Sequence, residues 1–275
     1  MELNIKDNLK YYTFENFKAY SDFTKHCFST KFGGVSKGVY ESMNLSFRND
    51  SRENVLKNYE IICEEIGVDY RNSVFSSQTH EDKIYVVKRE DAGKGLIRAS
   101  DIEGIDALIT NEIDLPLITF YADCVAVFLL DPVKRVVGIA HSGWKGTLLE
   151  ISAKTALAMR DNFGSEMGDI LVGVSPSIGR CCFQVGGEVA EQFENRLAFS
   201  KEYIYKDIDK NNKVIENKFK IDLQNIIKTS LINVGILEEN IELSNICTMC
   251  NSDIFFSHRV MGNERGSLAG IIGLV

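Results

Sequence analysis

The chain is poor in residues that would divide it or carry it out of the cell. Three prolines in 275 residues leave no Pro-rich linker. No repeat or low-complexity tract interrupts the sequence, so a single domain over 1–275 is the simplest organisation. No apolar run approaches the roughly 20 residues needed to span a bilayer. The opening M-E-L-N-I-K-D-N-L-K lacks the apolar core of a secretory signal. Basic residues are outnumbered, 31 Lys and Arg against 39 Asp and Glu, for a net charge of −8. That balance excludes a broad electrostatic footprint for a nucleic-acid polymer or an anionic membrane. A small anionic ligand needs only a local basic cluster and stays open. Seven cysteines, an odd number without a secretory signal, point to a reducing, cytoplasmic setting with most thiols free.

Hydrophobic residues at 44% and charged residues at 25% suit a chain with a sizeable core. The periodicity predicts an α/β fold with mixed sheets. Its focus is Phe120–Glu150, which reads as strand, turn, strand, glycine-rich turn and helix. Val125–Leu130 and Val136–Ala140 are short β-branched runs separated by the turn signal Asp131-Pro132. In an antiparallel hairpin the start of one strand lies beside the end of the next. Cys124 and His141 are thereby brought together. The only tryptophan, Trp144, follows between Gly143 and Gly146.

Around this hairpin the pattern predicts strands at Tyr11–Phe14, Lys25–Ser29, Val74–Ser77, Lys83–Lys88, Ile105–Thr110, Leu117–Tyr121, Ile170–Val174, Ile241–Leu243 and Ile254–Ser257, and a terminal one. Asp50-Ser51-Arg52-Glu53 resembles a capping box opening a helix that stops near Gly67. Thr147-x-x-Glu150 resembles another, starting a helix that ends at Gly164. Further helices are marked by Val189, Phe193 and Leu197, and by Leu223 to Val234 with Asp222 as cap.

Of the four histidines, His80 and His141 stand at strand ends. With Cys124 they offer two imidazoles and one thiolate, a set suited to zinc with an open fourth position. The 80–124–141 spacing is too wide for a finger or ribbon, so two ordinary polar histidines and a buried cysteine fit it as well. Cys247-Thr-Met-Cys250 has CxxC spacing but no partner CxxC, and reads as structural thiols. Cys181 and Cys182 are neighbours, between which a disulfide would be strained. Asp106, Asp114, Asp123 and Asp131 surround the central strands. Asp123 stands out by adjacency to Cys124. Lys31, Arg48, Lys145 and Arg259 lie in or near glycine-containing loops, as anion contacts or as solvated surface.

The blocks S-S-Q-T-H-E-D-K-I, D-A-L-I-T, Y-A-D-C-V-A-V, G-I-A-H-S-G-W-K-G-T, S-P-S-I-G-R-C-C-F-Q-V-G and F-F-S-H-R, in this order, resemble the YfiH/YlmD family, also labelled laccase-domain or multicopper polyphenol oxidase. The resemblance covers nearly the whole chain from about Thr30. It implies mixed sheets packed between helical layers, and a metal, usually zinc, on His80, Cys124 and His141. It also implies purine nucleoside phosphorolysis, including methylthioadenosine cleavage, together with adenosine deamination. Some bacterial members are described as peptidoglycan editing factors.

On that basis His80, Cys124, His141 and Asp123 are the candidate catalytic residues, with Asp123 shuttling protons. Lys31, Arg48 and Lys145 are candidates for holding phosphate. Asn44 would orient sugar or phosphate, and Gln78 would contact substrate. Lys31 and Lys145 stand where many members carry arginine, and His258 where tyrosine is common. Lysine keeps the charge but lacks the bidentate fork. Three rival readings remain. Cys124 with His141 or His80 could form a cysteine hydrolase dyad. Two histidines and a cysteine could hold copper, although four histidines are too few for a trinuclear copper cluster. A non-catalytic partner protein could retain the pocket.

Overall fold

The computed structural model describes residues 1–48 and 50–275. In chain order the strands are β1 (Glu2–Lys6), β2 (Leu9–Thr13), β3 (Thr24–Ser29), β4 (Val74–Phe75), β5 (Ile84–Val86), β6 (Ala107–Thr110), β7 (Leu117–Tyr121), β8 (Val125–Asp131), β9 (Val136–Ser142), β10 (Leu171–Val174), β11 (Gln184–Gly186), β12 (Ile204–Ile208), β13 (Val214–Ile221), β14 (Ile241–Leu243) and β15 (Leu268–Leu274). The α-helices are α1 (Arg52–Ile66), α2 (Trp144–Leu148), α3 (Ile151–Phe163), α4 (Gly187–Arg196), α5 (Leu223–Asn233) and α6 (His258–Met261).

Two mixed six-stranded sheets carry the fold, in the orders β1-β2-β3-β15-β7-β4 and β14-β10-β8-β9-β6-β5. A small sheet, β11-β13-β12, contains the hairpin expected from the alternation in 200–220. The layers follow from side-chain alternation along β8, where successive residues face opposite sides. Val125, Val127 and Leu129 pack with Ile151 and Met159 of α3 and with Ile226 and Leu231 of α5. Ala126, Phe128 and Leu130 face the other way, against Phe28, Leu117 and Ile272 of the first sheet. The outer face of that sheet, at Cys27, Ile118 and Ile271, is covered by Val55, Tyr59 and Ile62 of α1. The result is helix, sheet, sheet, helix, the mixed sheets between helical layers that the family resemblance implied. Each fully buried Leu, Ile or Phe contributes about 1.5–3 kcal/mol to this arrangement.

An imidazole also sits in the inter-sheet core. His26 of β3 lies against the rings of Phe14 and Phe17, at centroid separations of 5.7 and 4.9 Å. Its Nε2 accepts the Phe14 backbone N–H at 2.8 Å, so the imidazole is neutral with its proton on Nδ1. Burial lowers its pKa to about 3.

Several local expectations are met by the chemistry that suggested them. Gly67 closes α1 in the left-handed conformation and Asp222 caps α5, while the cap of α1 falls one residue later than the expected box, at Ser51, which accepts from Asn54 N. Two others fail. Thr147 does not cap a helix, because its hydroxyl bonds Ser142 Oγ at 2.9 Å. Helix α2 instead begins at Trp144, and the chain breaks at Glu150, in the left-handed region at φ 58°, before α3 starts. Residues Ile254–Ser257 form no strand. They lead through turns into α6, because Phe255 and Phe256 are buried as anchors between layers rather than alternating along a ladder.

Candidate metal centre and cavity

The β8–β9 hairpin has the register Val125↔Ser142 and Ala126↔His141, which sets Cys124, just before β8, beside the end of β9. His80 arrives from the corner between β4 and β5, in the left-handed conformation at φ 62°. The ligand atoms of His80, Cys124 and His141 all lie within 4.8 Å of one another. The two imidazoles meet edge to face, with centroids 4.7 Å apart.

Asp106 organises this group. It is fully buried just before β6. Its Oδ1 accepts from His80 N at 3.0 Å and faces His141 Nδ1 at 2.8 Å. Its Oδ2 accepts the backbone N–H groups of Thr79 and Glu81 at 3.1 and 2.9 Å. One carboxylate therefore pins the unusual backbone of the Thr79–Glu81 corner and fixes the His141 tautomer. With Nδ1 donating to Asp106, Nε2 is left as the ligating atom.

The donor set fits a divalent metal with three protein ligands. Burial opposes ionisation of Cys124, but the charge of His141 and hydrogen bonds from both imidazoles outweigh it and hold the thiol at about 6. Burial also opposes a charge on His141, yet the facing thiolate and Asp106 raise it to about 9. The pair is thus a thiolate facing an imidazolium near neutral pH, and a cation can replace that imidazolium proton. Gly143 leaves the required room. A Cβ there would stand 2.8 Å from His80 Nδ1 and 3.1 Å from Cys124 Sγ, although its φ of −68° suits any residue.

The three residues line a cavity of about 710 Å³, within the usual range for small-molecule sites. Arg48, Gln78, Phe120, His258, Asn263 and Arg265 form further parts of its wall. Arg265 donates through Nη1 to Gly266 O and Ser267 Oγ. Burial lowers its pKa from the ordinary arginine value; the charges of Asp123 and Cys124 oppose that, and nearby Arg48 adds to it. Arg265 stays charged all the same. Two guanidinium groups thus repel each other in one cavity, with no ion pair to either among the described residues.

The sequence candidates divide on this geometry. Arg48 lines the cavity. Gln78 does too, but its amide is engaged at both ends with Phe120, accepting from N at 2.7 Å and donating to O at 3.2 Å. Asn44 is fully buried as a loop brace, bonded to Ser46, Asp50 and Ser267. Lys31 donates to Ser252 O at 2.8 Å and lines a separate cavity. The Lys145 ammonium lies 5.6 Å from the centre of the Trp144 ring and is not in the cavity wall.

Asp123 departs most from expectation. Both its oxygens are consumed, by Thr248 Oγ1 at 2.6 Å, Ser257 Oγ at 3.0 Å and the Arg259 backbone N–H at 2.7 Å. It braces the start of α6 and is not among the residues that line the cavity. Sequence reasoning named Asp106 only among the acids around the central strands, without a role, and did not name Arg265. Asp106 carried a signal in D-A-L-I-T. Arg265 carried none beyond its place among glycines near the end of the chain.

The family described as "Multi-copper polyphenol oxidoreductase laccase" matches residues 25–275. Purine nucleoside phosphorylase YlmD of Bacillus subtilis is 32% identical over 249 residues, covering 90% of this chain and 87% of the relative. The crystal structure of the Bacillus licheniformis hypothetical protein YfiH superposes with a TM-score of 0.89 at 30% identity, covering 99% of each chain. That of YlmD from Geobacillus stearothermophilus gives 0.85 at 26% identity, covering 99% of this chain and 98% of the other. In sequence and in fold alike, the chain belongs to the YfiH/YlmD family of laccase-labelled proteins.

Proposed function

We propose that this protein is a zinc-dependent purine nucleoside phosphorylase that converts adenosine, inosine or methylthioadenosine to the free base and a ribose 1-phosphate, and that also deaminates adenosine. The observation that carries the reading is the pairing, in one cavity, of the His80–Cys124–His141 group with the cations Arg48 and Arg265. The name carried by the Bacillus subtilis relative supports the same substrate class.

A zinc ion on His80, Cys124 and His141 would supply Lewis-acid polarisation of a ligand atom. The chain's own groups do the rest. Arg48 and Arg265 hold phosphate through charge-assisted hydrogen bonds. A phosphate oxygen bonds to C1′ of the ribose as the C1′–N9 bond breaks, and the electron pair passes to the purine. The leaving base then takes a proton, for which His258 on the cavity wall is the available donor. Phe120 offers an aromatic face for the base.

The other two histidines argue against laccase chemistry. His26 is locked in the core and His258 stands on the cavity wall, so no trinuclear copper cluster can be assembled from imidazoles. The deciding experiment is chromatography of adenosine incubated with zinc-quantified protein, with and without phosphate. Adenine, or hypoxanthine by way of inosine, appearing with ribose 1-phosphate only when phosphate is present is the expected result. Inosine alone, whatever the phosphate, would overturn phosphorolysis. No product at all would favour the binding-protein or cell-wall-editing readings.

A further inference from the structure

The CxxC at Cys247–Cys250 lacked a partner in the sequence, and the fold supplies one. Strands β10 and β14 are parallel neighbours, so the segments leaving their C-terminal ends run together. Ser177 N donates to Ile246 O at 3.2 Å, and Thr248 N to Ser177 O at 2.9 Å. Sixty-odd residues of intervening chain are thereby bypassed. The Cys181-Cys182 loop meets the Cys247–Cys250 turn, and all four sulfur atoms lie within 4.8 Å of one another.

We propose that Cys181, Cys182, Cys247 and Cys250 form a second, structural metal site, a closed tetrathiolate for zinc, separate from the cavity centre. Three observations support it. Cys250 Sγ lies 3.4 Å from Cys182 Sγ and 3.5 Å from Cys181 Sγ. A tetrahedron with about 2.3 Å zinc–sulfur bonds has edges of about 3.8 Å, close to this spacing. A disulfide requires about 2.05 Å and would use only two of the four thiols. Next, the backbone serves the sulfurs. Gly179 N donates to Cys247 Sγ at 3.2 Å, the kind of contact that stabilises a bound thiolate. A Cβ on Gly179 would stand 3.1 Å from Cys247 Cβ and 3.4 Å from Cys181 Sγ, so the loop reaches the cluster because residue 179 has no side chain.

The third observation is the charge around the cluster. Four thiolates and one zinc ion carry a net charge of −2. Lys220 Nζ donates to Cys181 O at 3.0 Å, and Arg259 Nη1 to Gln184 O at 3.3 Å, setting two cations beside it. Cys181 and Cys250 are exposed and Cys247 is buried, so the site opens to the surface on one side.

The bound metal would tie together the two segments that hold the residue next to Cys124. Ile178 N donates to Asp123 O at 2.8 Å, and Thr248 Oγ1 to Asp123 Oδ1 at 2.6 Å. The site is thus a strut behind the cavity centre rather than part of it.

The test uses full-length protein reconstituted anaerobically with excess reductant and zinc, then freed of loose metal. Wild type should retain two zinc equivalents. Cys124→Ala should retain one, and X-ray absorption at its zinc edge should show four sulfur neighbours at about 2.3 Å. Cobalt in the same variant should give the intense sulfur-to-metal charge-transfer bands of a tetrathiolate. Adding Cys247→Ser and Cys250→Ser should remove that remaining equivalent. Should this triple variant misfold, the Cys124→Ala spectra decide alone. Cys124→Ala that holds no metal, a metal with nitrogen or oxygen neighbours, or a disulfide among the four cysteines in the reduced protein would each overturn the proposal. None of these readouts depends on turnover, so failure of the phosphorylase reading leaves the test intact.

Discussion

His26 makes the stability of this protein depend on pH in a calculable way. The imidazole is buried between sheets, accepts the Phe14 N–H, and is lowered to about 3 by burial. In the unfolded chain it titrates near 6.5. A group whose folded pKa is depressed contributes stability above its unfolded pKa and loses it as pH falls toward the folded one. Between pH 6.5 and about 3 the unfolded state binds a proton that the native state refuses. Each unit in that window costs about 1.4 kcal/mol, so His26 alone costs about 2 kcal/mol at pH 5. With an unfolding entropy of about 2.1 cal/mol/K per residue over this chain, the melting temperature falls by about 3–4 °C. Carboxylates titrate too, so a difference measurement is needed. In His26→Gln the amide oxygen can still accept from Phe14 N but does not titrate. Denaturant midpoints and calorimetric melts of both proteins at pH 7.5 and pH 5.0 provide the comparison. Wild type should lose about 2 kcal/mol more than the variant. Equal losses would refute the assignment of a buried neutral imidazole.

Gly143→Ala should fold with a near-normal melt yet bind zinc at the cavity centre at least about tenfold more weakly, because its Cβ meets His80 Nδ1 and Cys124 Sγ; chelator competition would read this, and unchanged affinity would contradict the geometry. Asp106→Asn should lower that affinity about 10- to 100-fold, since an amide cannot accept from both His141 and the Thr79–Glu81 backbone; the same competition assay applies. Arg265→Ala should raise the KM for phosphate by about 10- to 100-fold, matching the loss of a charge-assisted hydrogen bond worth about 1.5–3 kcal/mol. An equal rise in the KM for nucleoside would place Arg265 elsewhere in the reaction.

What could be read from the sequence was local. The β8–β9 hairpin was legible because two β-branched runs flank Asp131, whose Oδ1 accepts from Val133 N and Lys134 N in a turn. Once the hairpin was placed, Cys124 and His141 had to meet. The roles of Asp106 and Asp123 were not legible. Adjacency to Cys124 favoured Asp123, but consecutive residues at the edge of a strand point in different directions, and Asp123 faces α6. Asp106 reaches His141 only through the β6–β9 pairing, a tertiary fact. The same limit hid the sulfur cluster, whose halves are joined by the β10–β14 pairing, and Arg265, which depends on where the last loop is laid.

Strand β15 carries a consequence for synthesis on the ribosome. It lies between β3 and β7, pairing Gly270 with Phe28 on one side and Thr119 on the other. Until residue 274 has emerged, both neighbours wait with unsatisfied edges and an incomplete apolar face. Such edges are templates for pairing with other chains. From the emergence of β3 until that of β15 the nascent protein is therefore exposed to aggregation, and its first sheet closes in one step with contacts of very long sequence separation. A ribosome that stalls before β15 releases not a smaller folded protein but a sticky one.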